Sequence, residues 1–146
     1  MFKNILCPTD FSDTSLNAAH KAMDIAEHFD SKITFIHVID VNVLRDIGDL
    51  SFGSIDEFEL LVTEEKPILN NLKEECEKRH IKVETVLTHG VPSDAITNKV
   101  KSGNFDLIIM GTHGHKGLKR VILGSVAESV IRNTTIPVLL YKLDSK

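Results

Sequence analysis

Three glycines stand in one segment of the chain that could bind phosphate: Gly111, Gly114 and Gly124. The segment follows an apolar run at residues 105–110 and precedes a helical pattern that starts at Ser125. Glycine allows positive φ angles and a close approach of the backbone to a ligand. The amides of such a loop and of a helix N-terminus bind anions. Three basic residues also lie inside the segment: Lys116, Lys119 and Arg120. The pattern therefore predicts a nucleotide-type phosphate site.

The glycine spacing differs from the two best-known nucleotide motifs. A dinucleotide fingerprint requires Gly-x-Gly-x-x-Gly in the first strand–helix turn, and that turn, Pro8 to Ser12, contains no glycine. A P-loop requires Gly-x4-Gly-Lys-Ser/Thr, which no position supplies. Asp40 follows the second predicted strand, as does the acidic residue that binds NAD ribose. Without the glycine turn we do not expect that role for it.

The elements that position the glycine segment follow from apolar periodicity. Strands are predicted at residues 3–8, 32–39, 81–88, 107–110 and 136–141. Helices are predicted at residues 12–29, from a capping box at 54–57 to about 79, from the turn at 90–93 to about 103, and from 125 onward. Residues 40–55 are predicted to form a loop.

This alternation predicts one α/β domain over residues 1–146. We expect a Rossmann-like, doubly wound, five-stranded parallel sheet in the order 3-2-1-4-5, with helices on both faces. Ligands of such sheets bind beyond the carboxyl ends of the strands, where the winding direction reverses. Pro8 to Asp10 and residues 111–114 are therefore expected to meet across one crevice.

The glycine loop resembles that of the universal stress protein family, in its ATP-binding branch. That branch carries Gly-x2-Gly-x9-Gly-Ser/Thr, and its fixed positions are matched here by Gly111, Gly114, Gly124 and Ser125. Other stretches similar to the family cover nearly the whole chain: residues 5–12, 36–40, 90–92, 106–114 and 123–128. The resemblance implies a single nucleotide-binding domain with ATP as its cofactor, together with Mg²⁺ or Mn²⁺.

The resemblance also implies roles for individual residues. Val38 would bind the adenine through its backbone, and Pro8 and Thr9 would line the base pocket. Asp10 would face the ribose or a metal ion bound to the nucleotide. The remaining implied contacts to the nucleotide come from Met110, Gly111, His113, Gly114, Gly124, Ser125 and Val126.

Several of these residues have a structural alternative. Ser125 and Glu128 fit a capping box, in which the serine hydroxyl serves its own helix. Asp10 could cap the first helix, and the basic residues of the loop could form a solvated face. His113 and His115 are too few ligands for a structural zinc site, and His37 is expected to be a packed or hydrogen-bonded histidine.

The function implied by the resemblance is an ATP-binding regulatory module of the stress response, in which the nucleotide acts as a switch. It is not expected to be an enzyme beyond slow ATP hydrolysis. Two alternatives stay open: a nucleotide-handling enzyme of the adenylate-forming or ATP-pyrophosphatase-like class, and a partner-binding scaffold without nucleotide. The downstream protein partner is not identified by the sequence.

Composition and charge exclude some classes of binding partner. A net charge of −4 over 146 residues argues against nucleic acid, and no apolar stretch is long enough to span a membrane. Cys7 and Cys76 have no metal or redox spacing, so free thiols and a cytoplasmic location are expected.

The apolar strand at residues 136–141 carries Pro137, which favours a sheet edge. We expect a homodimer through that strand.

Overall fold

A computed structural model of the chain describes residues 1–42, 55–113 and 123–143, with the side chains of 55–57 excepted. Of the loop predicted at 40–55, residues 43–54, which include the capping residue Ser54, lie outside the described residues, whereas Asp40 belongs to a strand and Ile55 to a helix. Gly114 and the loop residues His115, Lys116, Lys119 and Arg120 also lie outside the described residues.

The helices and strands alternate along the chain. They are β1 (Asn4–Pro8), α1 (Asp13–Phe29), β2 (Lys32–Asp40), α2 (Ile55–Lys78), β3 (Lys82–Gly90), α3 (Pro92–Ser102), β4 (Leu107–Gly111), α4 (Ser125–Asn133) and β5 (Val138–Tyr141). The strands form one five-stranded parallel sheet in the order β3-β2-β1-β4-β5. The predicted fold class and strand order are confirmed.

The fifth strand starts two residues later than predicted. Pro137 has no N–H to donate to a ladder, and its carbonyl oxygen instead accepts from the N–H of Ile108 at 3.0 Å. Ile136 precedes the strand and packs against the second of the two apolar clusters. β5 is an edge strand, as Pro137 indicated.

Two apolar clusters cover the two faces of the sheet. On the first face, Ile5, Cys7, Phe35 and Ile109 pack against α1 and α2. On the second face, Leu6, Ile36, Ile108 and Met110 pack against α3 and α4. Side chains of a strand alternate between faces, so the near-continuous apolar runs of β1 and β4 supply both clusters.

Helix α1 lies close to the sheet because its buried face is made largely of small residues: Thr14, Ser15, Ala18, Ala19, Ala22, Met23 and Ala26. Both cysteines belong to the first cluster and are free, as expected. Burial raises the pKa of the Cys76 thiol to about 12, and it raises the pKa of Cys7 further. Among the described residues no helix is long and apolar enough to cross a membrane.

Candidate nucleotide site

The site is built where the chain winds in opposite directions from two neighbouring strands. β1 leads into α1 on the first face, whereas β4 leads through the glycine segment into α4 on the second face. The carboxyl ends of β1 and β4 therefore border the crevice in which open α/β sheets bind ligands. The first turn of α1 contacts the end of β4: Thr14 lies against Gly111, and its Oγ1 is 3.5 Å from Nε2 of His113.

The apolar residues that are predicted to contact the adenine lie on the second face of the sheet, toward the carboxyl ends of the strands. Val38 and Val126 pack against the cluster that contains Met110. Pro8 is two residues beyond Leu6 of the same cluster, so alternation places its ring on that face as well. These four residues, which share the second face of the sheet, are called the apolar wall below.

The backbone of Val38 points toward that wall. The carbonyl oxygen of Ile36 accepts from the N–H of Thr9 at 2.9 Å, so the peptide groups of Ile36 face β1. Residues two apart in a parallel strand direct their N–H and C=O to the same side. Val38 therefore presents both groups toward β1, beyond Pro8, the last residue of β1 that pairs with β2.

The turn between β1 and α1 is fixed by side-chain hydrogen bonds. Thr9 is buried, and its Oγ1 accepts from the N–H of Phe11 at 3.1 Å. Oδ1 of Asp10 accepts from the N–H of Ser12 at 3.0 Å and from its hydroxyl at 2.5 Å. The N-cap of α1 is Ser12 and not Asp10. The alternative that Asp10 caps the helix is therefore wrong: it orients the capping residue instead.

The other end of the segment enters α4 through Gly124. Gly124 is the N-cap of α4 with φ −62°, and its carbonyl accepts from the N–H of Glu128 at 2.9 Å. Ser125 is the first helical residue and no side-chain capping bond is formed, so the predicted Ser125–Glu128 capping box is wrong. The amides of Ser125 and Val126 belong to the first turn, whose N–H groups have no partner within a helix.

At two positions of the motif, neighbouring atoms come so close to the backbone that there is no room for a side chain. A Cβ on Gly111 would lie 2.8 Å from Cγ2 of Thr14, and a Cβ on Gly124 would lie 3.0 Å from the carbonyl oxygen of Thr112. Neither adopts the positive φ that sequence reasoning allowed, since the one described glycine with positive φ is Gly90. Gly111 serves helix packing, and Gly124 brings the two ends of the glycine segment together.

Some residues of the site had no signal in the sequence. The N–H of Thr112 donates to the carbonyl of Tyr141 at 2.9 Å, and the carbonyl of Thr112 accepts from the N–H of Gly124. Phe11 adopts φ 65° and stacks on His37 with ring centroids 4.2 Å apart. His37 is buried and hydrogen-bonded, as expected. No composition or periodicity rule would have paired these residues.

The model of the universal stress protein family matches residues 1–142. The chain belongs to this family. Universal stress protein MJ0531 of Methanocaldococcus jannaschii is 41% identical over 147 residues, which cover 100% of this chain and 85% of that protein.

Solved structures of the family have the same fold. That of MJ0577, described as a hypothetical protein whose biochemical function was assigned from its structure, superimposes with a TM-score of 0.89 at 32% identity, covering 100% of this chain and 99% of that chain. MJ0577 is also a universal stress protein of M. jannaschii. A universal stress protein in complex with cAMP superimposes with a TM-score of 0.71 at 21% identity, covering 97% of each chain; at that identity the likeness shows the fold alone.

Proposed function

We propose that this universal stress protein binds ATP, as a complex with Mg²⁺ or Mn²⁺, and that the nucleotide acts as a regulatory ligand. One observation carries the proposal. The apolar wall, the β1-facing peptide groups of Val38 and the first turn of α4 all lie toward the carboxyl ends of the strands, next to the point where the sheet reverses its winding.

The base end of the crevice suits adenine. Val38 offers one N–H and one C=O, which match the acceptor and donor on the Watson–Crick edge of adenine. Pro8, Met110 and Val126 would supply apolar surface for the two faces of the ring. Guanine presents the opposite order of donors and acceptors, so we expect Val38 to discriminate between the two bases.

The phosphate end combines amides with a carboxylate. The amides of Ser125 and Val126 are suited to phosphate oxygens because the helix dipole favours negative charge there. Asp10 would disfavour a bare phosphate at this edge, but a divalent cation bound to the phosphates would reverse that effect. Asp10 is thus the residue that fits a nucleotide-bound metal, and the contacts expected from Gly114 and the basic residues remain predictions.

The proposed role is binding and not turnover. His113, an imidazole at the crevice, faces the hydroxyls of Thr112 and Thr14, and we assign it to contact with the nucleotide. We expect hydrolysis to be slow at most. Two buried free thiols favour a reducing compartment, so we place the protein in the cytoplasm.

We further propose a homodimer through β5. This strand is an edge of the sheet, and Leu139 on it is 36% exposed. An unpaired apolar edge is an aggregation hazard unless another chain covers it, and a two-fold axis would let two β5 strands pair.

The test is to identify and then titrate the ligand. Mass spectrometry of small molecules released from the purified, denatured protein should detect an adenine nucleotide. Calorimetry with Mg-ATP should give a Kd in the micromolar range, about −8 kcal/mol, with GTP and NAD binding more weakly. AMP and cAMP are included as competitors because a family member of the same fold is known in complex with cAMP. No heat and no thermal shift at millimolar ATP would refute the proposal.

A further inference from the structure

The imidazole of His37 joins two parts of the protein that are distant in sequence. It lies in β2 with its side chain 7% exposed. Nδ1 is 2.7 Å from the carbonyl oxygen of Thr9, and Nε2 is 2.6 Å from Oε2 of Glu65 in α2. Because a carbonyl oxygen only accepts, Nδ1 carries a hydrogen and donates to Thr9. Nε2 is thus the ring atom that contacts the Glu65 carboxyl group.

The same ring supports the strained residue of the β1–α1 turn. Phe11 has φ 65°, a conformation that is disfavoured for residues with a Cβ and persists only where its surroundings impose it. Its ring stacks on His37 at an interplanar angle of 30°, and its N–H donates to Thr9 Oγ1. His37 thus contacts the turn on both sides of Asp10, at Thr9 and at Phe11.

Glu65 lies in the half of α2 that is weakly attached to the sheet. The buried residues of this helix, Leu69, Leu72 and Cys76, all follow Pro67, whereas none of the described side chains at 58–66 is buried. Pro67 cannot donate to the carbonyl of Thr63, so the helical ladder is interrupted next to Glu65. The contacts of this half with the strands include Glu65 with His37, and Phe58 edge-on to His89 at 5.2 Å.

We propose that His37 is a positioning residue of the nucleotide site. Through its contact with Glu65, the position of the His37 ring depends on whether residues 58–66 of α2 are docked on the sheet. The inference rests on the proposed function, because the turn it positions carries Thr9 and Asp10. The imidazole orients the Thr9 carbonyl and keeps Phe11 in its strained conformation, which sets the direction of the Asp10 carboxylate. Coupling of this kind is reciprocal: docking of residues 58–66 strengthens nucleotide binding, and bound nucleotide strengthens that docking.

The test compares three single variants with the wild-type protein. Glu65→Ala removes the partner of Nε2. Glu65→Gln keeps a hydrogen bond, since the amide can donate to the Nε2 of a ring that is protonated on Nδ1. Glu64→Ala is the matched control, because Glu64 is the adjacent residue of the same helix and is exposed. Circular dichroism and melting temperature check that each variant is folded.

Calorimetry with Mg-ATP gives the first readout. We expect Glu65→Ala to weaken binding at least about fivefold, the lower end of common allosteric couplings. Glu65→Gln should stay within about twofold of the wild type, and Glu64→Ala should be unchanged. A fourth variant, His37→Asn, retains a donor for Thr9 but cannot reach Glu65, and it should weaken binding as Glu65→Ala does. Equal affinities for the wild type, Glu65→Ala and His37→Asn would overturn the inference.

Amide hydrogen exchange without nucleotide gives a second readout that separates this inference from the proposed function. Glu65→Ala should exchange faster than the wild type in peptides that cover residues 9–15 as well as 58–66, and Glu64→Ala in neither. If wild-type protein binds no ATP, the proposed function is refuted, and the exchange result alone decides whether His37 couples the two segments. Faster exchange confined to 58–66 would overturn the coupling.

Discussion

The N–H of Gly124 donates to the carbonyl oxygen of Thr112 across 2.6 Å, and this bond ties together the two ends of the glycine segment. The approach is so close that a Cβ on Gly124 would lie 3.0 Å from that oxygen and 3.1 Å from Cα of His113. Both contacts are with backbone, which cannot rotate away as a side chain can. Gly124 therefore holds together the two ends of the segment that is expected to wrap the phosphates.

Gly124→Ala should move the two ends of the glycine segment apart. The added methyl group requires Thr112 and Gly124 to separate, which lengthens the hydrogen bond and displaces the first turn of α4. We expect ATP affinity to fall about tenfold, a loss of about 1.4 kcal/mol, in a protein that remains folded. Calorimetry measures the change. An unaltered Kd would mean that closure of the segment is not needed for binding.

Gly111→Ala should act on stability, because the new Cβ would meet Cγ2 of Thr14 at 2.8 Å. Overpacking of this kind costs about 1–3 kcal/mol in the free energy of unfolding. Thr14→Ser removes Cγ2 while retaining the hydroxyl, so the double variant should recover part of the loss. Urea denaturation of both variants and of Thr14→Ser alone measures the coupling. Additive losses would show that the two residues are not in steric conflict.

Asp10 can be separated into its hydrogen-bonding and its charge-bearing role. Asp10→Asn keeps an oxygen to accept from Ser12 but removes the charge that a nucleotide-bound metal would require. We expect a stability close to that of the wild type and a loss of about 1.5–3 kcal/mol in Mg-ATP binding, the range for hydrogen bonds to charged groups. Titrations with and without Mg²⁺ provide the measurement. If affinity is retained while the melting temperature falls, Asp10 serves the turn alone.

Leu139→Lys should convert a β5-paired dimer to a monomer, because two lysines would then face each other across the two-fold axis. Leu140 is less suitable for this test, since it packs against the second apolar cluster. Leu60→Lys is the matched control, because Leu60 is 57% exposed on α2. Light scattering should give twice the chain mass of 16.3 kDa for the wild type and the control. A monomeric wild type at tens of micromolar would contradict the dimer.

Arg79 links α1 to the end of α2 in a manner that depends on pH. It hydrogen-bonds to Asp24 at 2.9 Å and to Glu27 at 2.6 and 2.9 Å, and it lowers the pKa of both carboxyl groups. Since the folded protein then binds fewer protons than the unfolded chain, the stabilisation is complete above about pH 5 and is lost as pH falls through the folded-state pKa values.

Arg79→Met should therefore lower the stability at neutral pH and have a progressively smaller effect toward pH 2. The difference should be small and should shrink in high salt, as for other exposed ion pairs. Denaturation as a function of pH measures it, with Lys78→Met as the control because Lys78 is an exposed neighbour. A difference that is independent of pH would show that packing of the arginine stem is responsible.

Much of this architecture is readable from local patterns. The apolar runs and their spacing were enough to predict each strand and helix described here, to within a few residues at their ends. The alternation of strands and helices then limits the topology, because parallel strands need crossover helices. The positions of Thr9, Asp10 and Gly111 at the carboxyl ends of the two central strands β1 and β4 follow from that topology alone.

The contacts that shape the site were decided by the tertiary structure. His37 and Glu65 are 28 positions apart, and Thr14 and His113 are 99 apart. Periodicity reports which face of an element is apolar, but it carries no information about which side chain of another element will lie opposite. Ser125 illustrates the limit within a single motif: its spacing to Glu128 fitted a capping box, yet the approach of Gly124 to Thr112 makes the glycine the N-cap. The path of the backbone through a close contact, set by packing across the sheet, determined which residue occupies that position.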